Sequence, residues 1–224
     1  MNDVLVLGAG KIGALICGLL GESGDYEILL ADVDGERARS VSDAHGLPGV
    51  SPCALDASDI GALRGVLGEH PVDAVVSGLP YFLNEGVAAV AAEHGIHYFD
   101  LTEDVAVTRA VRRLAEGSAK AFAPQCGLAP GFVSIAANEL MSHFDSVRSV
   151  KMRVGALPQH PNNVLKYSLT WSTDGLINEY GNVCQAIVNG RPTDVLPLEG
   201  LEDIEIDGTK YEALNTSGGL GSLG

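Results

Sequence analysis

The chain is short of the features that would tie it together covalently, carry it through a membrane or hold it to an anionic surface. Its four cysteines, Cys17, Cys53, Cys126 and Cys184, are scattered and contain no C-x-x-C. That points to a reduced cytosolic chain whose thiols serve as small core residues. No run of eighteen apolar residues occurs, so no membrane span is expected. The opening MNDVLVLGAG has no basic patch before its apolar stretch and no small-residue cleavage site, so no signal peptide is expected and the chain is placed in the cytoplasm. Basic residues are scarce: 14 Lys and Arg stand against 29 Asp and Glu, a net charge of −15. This excludes a bare electrostatic grip on nucleic acid or an anionic membrane. His143 and His160 have no metal-type spacing with a second ligand, and no metal is expected. Internal repeats and low-complexity segments are also missing.

What is present is apolar residue and glycine. Apolar residues make up 46% against 19% charged, enough to bury a core. The 224 residues fit one large or two small domains at roughly 150 residues each. Glycine, at 28 of 224, is well above the usual ~7% and must have structural tasks.

The first 130 residues alternate between strand-like and helix-like segments. Val4–Leu7 is a short apolar run of the kind buried on both faces of a sheet. Tyr26–Ala31, Val50–Leu55, Val72–Ser77, Ile96–Leu101 and Ala119–Ala123 read as further strands. Between them lie helical stretches at 14–20, 34–45, 58–69 with Ser58 as N-cap, 84–94 and 105–116. Strand and helix at this pace mean parallel pairing through crossover helices, so residues 1–130 are expected to form an α/β, Rossmann-type doubly wound sheet. Beyond Pro130 the rhythm changes. A helix is expected over 131–144. Val147–Val154, Val164–Thr170 and Gln185–Asn189 alternate polar and apolar as half-exposed antiparallel strands do, and Asn189-Gly190 is a hairpin turn. Residues 131–224 are therefore expected to be a second, α+β domain. The acids of 199–207 read as a solvated edge. The chain stops in a glycine-rich stretch with nothing to pack over it, so this domain is expected to be incomplete.

Gly8-x-Gly10-x-x-Gly13 follows a buried strand and opens a helix. Gly8 makes the tight turn, Gly10 admits a pyrophosphate to the backbone, and Gly13 lets the helix sit close to the sheet. Lys11 and Ile12 lie at the helix N-terminus, where free N–H groups and the helix dipole favour phosphate. Asp32 ends the second strand, 19 residues past Gly13, where an acid accepts both ribose hydroxyls of an adenosine. No arginine adjoins it, and a 2′-phosphate would face Asp32 and Asp34, so NAD is expected over NADP. Asp56 and Ala57, at the end of the third strand, are candidates for the adenine wall; a plain helix-terminal acid is the alternative for Asp56. Gly78, Leu79 and Pro80 follow the fourth strand and would run beside the nicotinamide ribose, with Tyr81 on the substrate side.

Five ordered motifs resemble the saccharopine dehydrogenase family. They are Ser77-Gly78-Leu79-Pro80-Tyr81, Gly127-Leu128-Ala129-Pro130-Gly131-Phe132, Gly155-Ala156-Leu157-Pro158, Leu169-Thr170-Trp171-Ser172 and Asn215-Thr216-Ser217-Gly218-Gly219. The resemblance runs over essentially the whole chain. It implies an NAD(P)-dependent oxidation, or reverse reduction, at a carbon bearing nitrogen in a lysine-derived amino acid. It also implies a homodimer, with Gly127 and Pro130 near the cofactor and Lys166, Trp171 and Asn215 near the substrate. Ala156 stands where members carry a second glycine, and relatives continue well past the Asn215 loop.

Such chemistry needs a path for the amine proton and negative charge near the developing iminium. Asp100, at the carboxyl end of the fifth strand, is the first candidate, as substrate-ammonium partner or base. Glu103 is the next, and Tyr81 could hydrogen-bond the amine. His97 lies three residues before Asp100 and faces the other side of the strand. The rival reading is a non-catalytic dinucleotide-binding module that senses NAD redox state. Turnover separates the two; binding does not.

Overall fold

The computed structural model describes residues 2–224 except Leu47, Ala156, Pro161, Leu165, Lys166, Thr170, Gly218, Gly219, Ser222 and Gly224. Two compact units result: Met1–Thr102 with Ala106–Cys126, and Glu103–Val105 with Gly127–Gly224.

Strand β1 (Asn2–Leu7) explains why the first unit is a sheet covered on both sides. Successive side chains of a strand leave on opposite faces. Val4 and Val6 pack with Ile28, Leu30, Cys17 and Ala38; Leu5 and Leu7 pack with Leu63, Val87 and Val111. None of the four is more than 4% exposed. The other strands are β2 (Tyr26–Asp32), β3 (Val50–Ala54), β4 (Ala74–Ser77), β5 (His97–Asp100) and β6 (Phe122–Ala123). All neighbouring pairs are parallel, in the order β3-β2-β1-β4-β5-β6. Helices α1 (Lys11–Ser23) and α2 (Gly35–His45) supply Cys17 and Ala38 to one face. Helix α3 (Ile60–Glu69) crosses to the other and is joined by α4 (Asn84–His94) and α5 (Val105–Ala115). The sheet thus grows one way from β1 to β3 and the other way from β4 to β6. The point of reversal lies between β1 and β4, where such sheets bind their ligands at the carboxyl ends.

Helix starts follow side-chain chemistry. Asp34 caps α2 by accepting from Glu36 N and Arg37 N. The cap of α3 corrects the sequence reading: Asp59, not Ser58, accepts from Gly61 N and Ala62 N. Ser58 is instead held by Asp56, whose Oδ1 accepts from both its N–H and its hydroxyl. Much of the glycine excess goes into stops, with Gly24, Gly46 and Gly95 in the left-handed region at the ends of α1, α2 and α4.

The second unit contains α6 (Phe132–Ser142), α7 (Thr173–Gly181) and two antiparallel hairpins, β7 (Cys184–Val188) with β8 (Arg191–Val195) and β9 (Glu202–Ile206) with β10 (Thr209–Ala213). Asn189-Gly190 makes the first turn with φ of 52° and 73°, and Asp207-Gly208 the second with 51° and 77°. Of the acids of 199–207, expected as a solvated edge, Glu202, Asp203 and Glu205 lie on β9 and Asp207 in its turn, with Asp203, Glu205 and Asp207 exposed. Helix α7, which the sequence reading lacked, starts on Ser172, whose hydroxyl accepts from Gly175 N. The strand expected over Val147–Val154 does not form a ladder with any described residue. That segment is fastened by side chains: Lys151 Nζ donates to Glu202 Oε1 at 2.7 Å, and Arg153 donates to Glu202 Oε2. Leu165, Lys166 and Thr170 of the strand expected over Val164–Thr170 lie outside the described residues.

Candidate functional site

The glycine turn is built by contacts that admit no side chain. Gly8 has φ +93° and donates its N–H to Ala31 O at 2.7 Å, which ties the end of β1 to β2. A Cβ on Gly13 would lie inside the van der Waals shell of the Gly8 carbonyl oxygen and 2.9 Å from its carbon. Gly78 donates to Leu7 O at 2.8 Å, and a Cβ there would stand 3.2 Å from that oxygen. The loops after β1 and β4 therefore meet at the point of reversal because glycine occupies both. Gly10, the N-cap of α1, behaves otherwise: a Cβ on it meets nothing within 4 Å. No capping side chain and no acid occupies that helix start, and Gly10, Lys11 and Ile12 are exposed. Open space above Gly10 and a helix N-terminus without an acid fit a pyrophosphate.

Asp32 closes the turn from the β2 side. It is 8% exposed, and its Oδ2 accepts from Ala9 N at 2.7 Å while Oδ1 accepts from Asp34 N at 2.9 Å. The acid expected to meet a ribose thus also fixes the glycine turn, a role the sequence reading missed. A carboxylate oxygen has two lone pairs, so each retains acceptor capacity. Asp56, at the end of β3, is exposed, and the hydrogen bonds from Ser58 hold its carboxyl below the usual range. Ala57 beside it is buried in the core.

On the β4 side, Leu79 and Tyr81 pack against the core, and Pro80 leads into a single 3₁₀ turn, Tyr81–Leu83. The Tyr81 ring is half-buried, edge-on to the exposed Phe82. Asp100 departs from expectation. Expected as a substrate-ammonium partner or base facing the cleft, it has no solvent exposure. Its Oδ2 accepts from Tyr98 Oη at 2.8 Å, and its Oδ1 accepts from Thr102 N at 2.8 Å and Gln125 N at 3.2 Å. Burial pushes its carboxyl above the usual range, against these three donors, which pull it down. His97 Nδ1 accepts from Ala121 N at 3.0 Å, so that ring fastens the loop before β6.

The second unit brings Glu103 and Trp171 together. Both stand over Gly175 at the start of α7: a Cβ there would meet the indole ring and lie 3.2 Å from Glu103 Oε1. Glu103 Oε1 accepts from Asn178 Nδ2 at 3.3 Å, and Trp171 Nε1 donates to Tyr167 Oη at 3.0 Å. Glu179 is close by; burial, and then the Glu103 charge, push its carboxyl up, while a Thr216 hydrogen bond lowers it. Removing the second cause with Glu103→Gln is expected to make Glu179 titrate at lower pH than in the wild type. Carboxyl-detected NMR titration checks this, and an unmoved Glu179 would mean that the two charges do not meet in solution. Asn215 is committed to its own loop: its Nδ2 donates to Leu196 O at 3.4 Å, and its main chain bonds Leu198 and Glu199. Gly127 O accepts from Phe132 N at 2.9 Å, closing the loop that contains Pro130. Lys166 lies outside the described residues.

A parallel sheet in this strand order, with a side-chain-free glycine turn at its reversal point and an acid at the end of β2, defines a dinucleotide-binding protein of the doubly wound class. The model of the saccharopine dehydrogenase NADP binding domain matches residues 4–124, and that of the saccharopine dehydrogenase C-terminal domain matches 127–222. The chain belongs to the saccharopine dehydrogenase family. It is 26% identical over 208 residues to saccharopine dehydrogenase [NADP(+), L-glutamate-forming] of Schizosaccharomyces pombe, covering 87% of this chain and 44% of that protein. It is 24% identical over 200 residues to mouse mitochondrial alpha-aminoadipic semialdehyde synthase, covering 87% and 21%. Its fold resembles apo saccharopine dehydrogenase (L-Glu forming) from Saccharomyces cerevisiae at 19% identity and a TM-score of 0.70, over 97% of this chain and 50% of that one. The chain thus spans half or less of the length of these relatives. No helix among the described residues is long and apolar enough to cross a membrane.

Proposed function

We propose that the chain is the nucleotide-binding unit and adjoining α+β unit of an NAD(P)-dependent oxidoreductase acting on the CH–NH or CH–NH2 group of a lysine-derived amino acid, of the saccharopine or lysine dehydrogenase type. The observation that carries the reading is the glycine turn at the β1/β4 reversal, locked to Asp32 through Ala9 N, in a chain whose two parts match the two family domains. A nicotinamide bound there supplies the acceptor for the hydride that leaves the carbon. This chain's residues have the remaining tasks. The first helical turn of α1 takes the pyrophosphate, Asp32 the adenosine ribose, and Gly78, Leu79 and Pro80 the nicotinamide side. The amine must lose a proton and the imine must gain water. Tyr81 and Glu103 are the groups we assign to that traffic, with Trp171 and Lys166 on the substrate side. Asp100 supports the site through its hold on Thr102 and Gln125.

NAD is the proposed cofactor. Asp32 and Asp34 repel a 2′-phosphate, and Val33 between them offers no cation. The matched family domain and the S. pombe relative are named for NADP, and the cation nearest to Asp32 in sequence is Arg37, in the first turn of α2. Asp32→Ala is expected to lose the preference for NAD by about 1–3 kcal/mol in binding, as for a charged hydrogen-bonding pair. An unchanged NADH to NADPH affinity ratio in that variant would overturn the assignment.

The homodimer and the cytoplasmic placement are part of this proposal. Exposed Phe132, Ile135 and Leu140 on α6 support the first, and four unpaired cysteines the second. The deciding experiment is reduction of NAD and of NADP by the purified chain with saccharopine, lysine and ornithine. Turnover with one of them supports the oxidoreductase. Binding of NADH without turnover on any of them favours the redox-sensing module.

A further inference from the structure

The loops at the carboxyl ends of β4, β5 and β6 are joined by a buried polar chain. Ser77, Tyr98 and Asp100 have no solvent exposure, and Asn84 has 1%. Ser77 Oγ donates to Asn84 Oδ1 at 2.7 Å and accepts from Leu79 N at 3.4 Å. Tyr98 Oη lies 3.3 Å from the Asn84 carbonyl and donates to Asp100 Oδ2 at 2.8 Å. Asp100 then holds the loop after β6 twice, through Gln125 N on Oδ1 and through Cys126 N on its main-chain carbonyl. Gln125 has φ 64°, a conformation that residues with a side chain seldom adopt. One hydroxyl, that of Tyr98, therefore connects the helix behind the β4 loop to a strained residue of the β6 loop.

A sheet core needs none of this. Ala74, Val75 and Val76 fill β4 up to Ser77, and apolar residues would continue it without a polar group to satisfy. Fully satisfied buried networks confer rigidity and a unique arrangement rather than bulk stability. In a doubly wound sheet one mononucleotide lies against each half, and this network falls wholly in the β4–β6 half, away from the glycine turn and Asp32.

We propose that Ser77, Asn84 and Tyr98 are positioning residues that hold the loops after β4 and β6 in the arrangement that receives the nicotinamide half of the dinucleotide. The inference rests on the dinucleotide reading above and puts none of the three in contact with the cofactor.

Tyr98→Phe removes the hydroxyl and keeps the ring that packs on Phe122. Calorimetry on the whole chain, wild type and variant, compares NADH with AMP, the adenosine mononucleotide half alone. The expected result is a loss of about tenfold in NADH affinity with AMP binding unchanged. A residue that merely stabilises the fold would lower the melting temperature and move both affinities together, or neither; either pattern overturns the proposal. So does a wild-type chain that binds AMP as tightly as NADH. A wild-type chain that binds neither overturns the dinucleotide reading, and the inference with it. Where Tyr98→Phe does not fold, Ser77→Ala makes the same comparison, with the same selective loss expected.

Discussion

Alanine at Gly13 is expected to destabilise the first unit by about 3 kcal/mol or more and to abolish dinucleotide binding, the size set by overpacking that cannot relax. The atoms that the new methyl meets are the carbonyl oxygen and carbon of Gly8, which are main chain and not the tip of a mobile side chain. Gly8 has little room to retreat, because its N–H is bonded to Ala31 O and the Gly78 carbonyl stands on the side where a Cβ of Gly8 would point. Relief would come only by lifting α1 off β1, which opens the contact of the fully buried Cys17 with Val4 and Val6. Gly10→Ala is the control. Gly10 has φ −73°, which alanine adopts freely, and its methyl would meet no protein atom within 4 Å. Stability is expected to stay within about 0.5 kcal/mol of wild type, as for exposed substitutions, while NADH binding falls because the methyl occupies the space assigned to the pyrophosphate. Thermal melting and NADH fluorescence on the two variants separate the tasks. Wild-type NADH affinity in Gly10→Ala would move the pyrophosphate elsewhere.

The first unit was legible because its signals are local. Val4–Leu7 is apolar on both faces, and that requires helices on both faces; the glycine turn sits within six residues of it. Asn189-Gly190 was equally plain. Asp207-Gly208 carries the same turn chemistry; the acids around it are solvated, but the strand they lie on shows only in the alternation of Ile204 and Ile206. Val147–Val154 failed for a different reason. Alternation states which side chains could share a face, but a strand exists only where a partner chain accepts its ladder, and no short-range pattern supplies that partner. The N-cap of α3 turned on a contest one residue wide, decided when Asp56 engaged Ser58. Tyr98 and Asp100 could have been paired from their spacing, since residues two apart share a face of a strand. What completes that pair is Gln125, 25 residues further on, and no spacing rule reaches so far.

Asp100→Ala is expected to cost about 2–5 kcal/mol, because the hydrogen bonds that Asp100 accepts from Thr102 N and Gln125 N are lost, at roughly 1–3 kcal/mol for each. Asp100→Asn should recover most of that loss. Its amide oxygen can accept from the same two N–H groups, and its NH2 can donate to the Tyr98 hydroxyl oxygen, leaving the Tyr98 proton for the Asn84 carbonyl 3.3 Å away. The wild-type carboxylate differs from asparagine in one respect, its buried charge. Burial raises the folded-state pKa above the usual carboxylate value. The folded protein therefore binds the proton more tightly than the unfolded chain does. The stability linked to that proton is full below the unfolded value of about 4 and is lost as pH rises through the folded value. Wild type is thus expected to lose stability relative to Asp100→Asn as pH increases from about 4 upward. Urea unfolding followed by far-UV circular dichroism gives the comparison. Trp171, the single tryptophan, lies in the second unit, so its fluorescence monitors that unit separately. Parallel pH curves for wild type and asparagine would mean that the carboxylate is not buried as a charge. An alanine variant as stable as asparagine would mean that water reaches the two N–H groups, and that the loop after β6 is not held by Asp100.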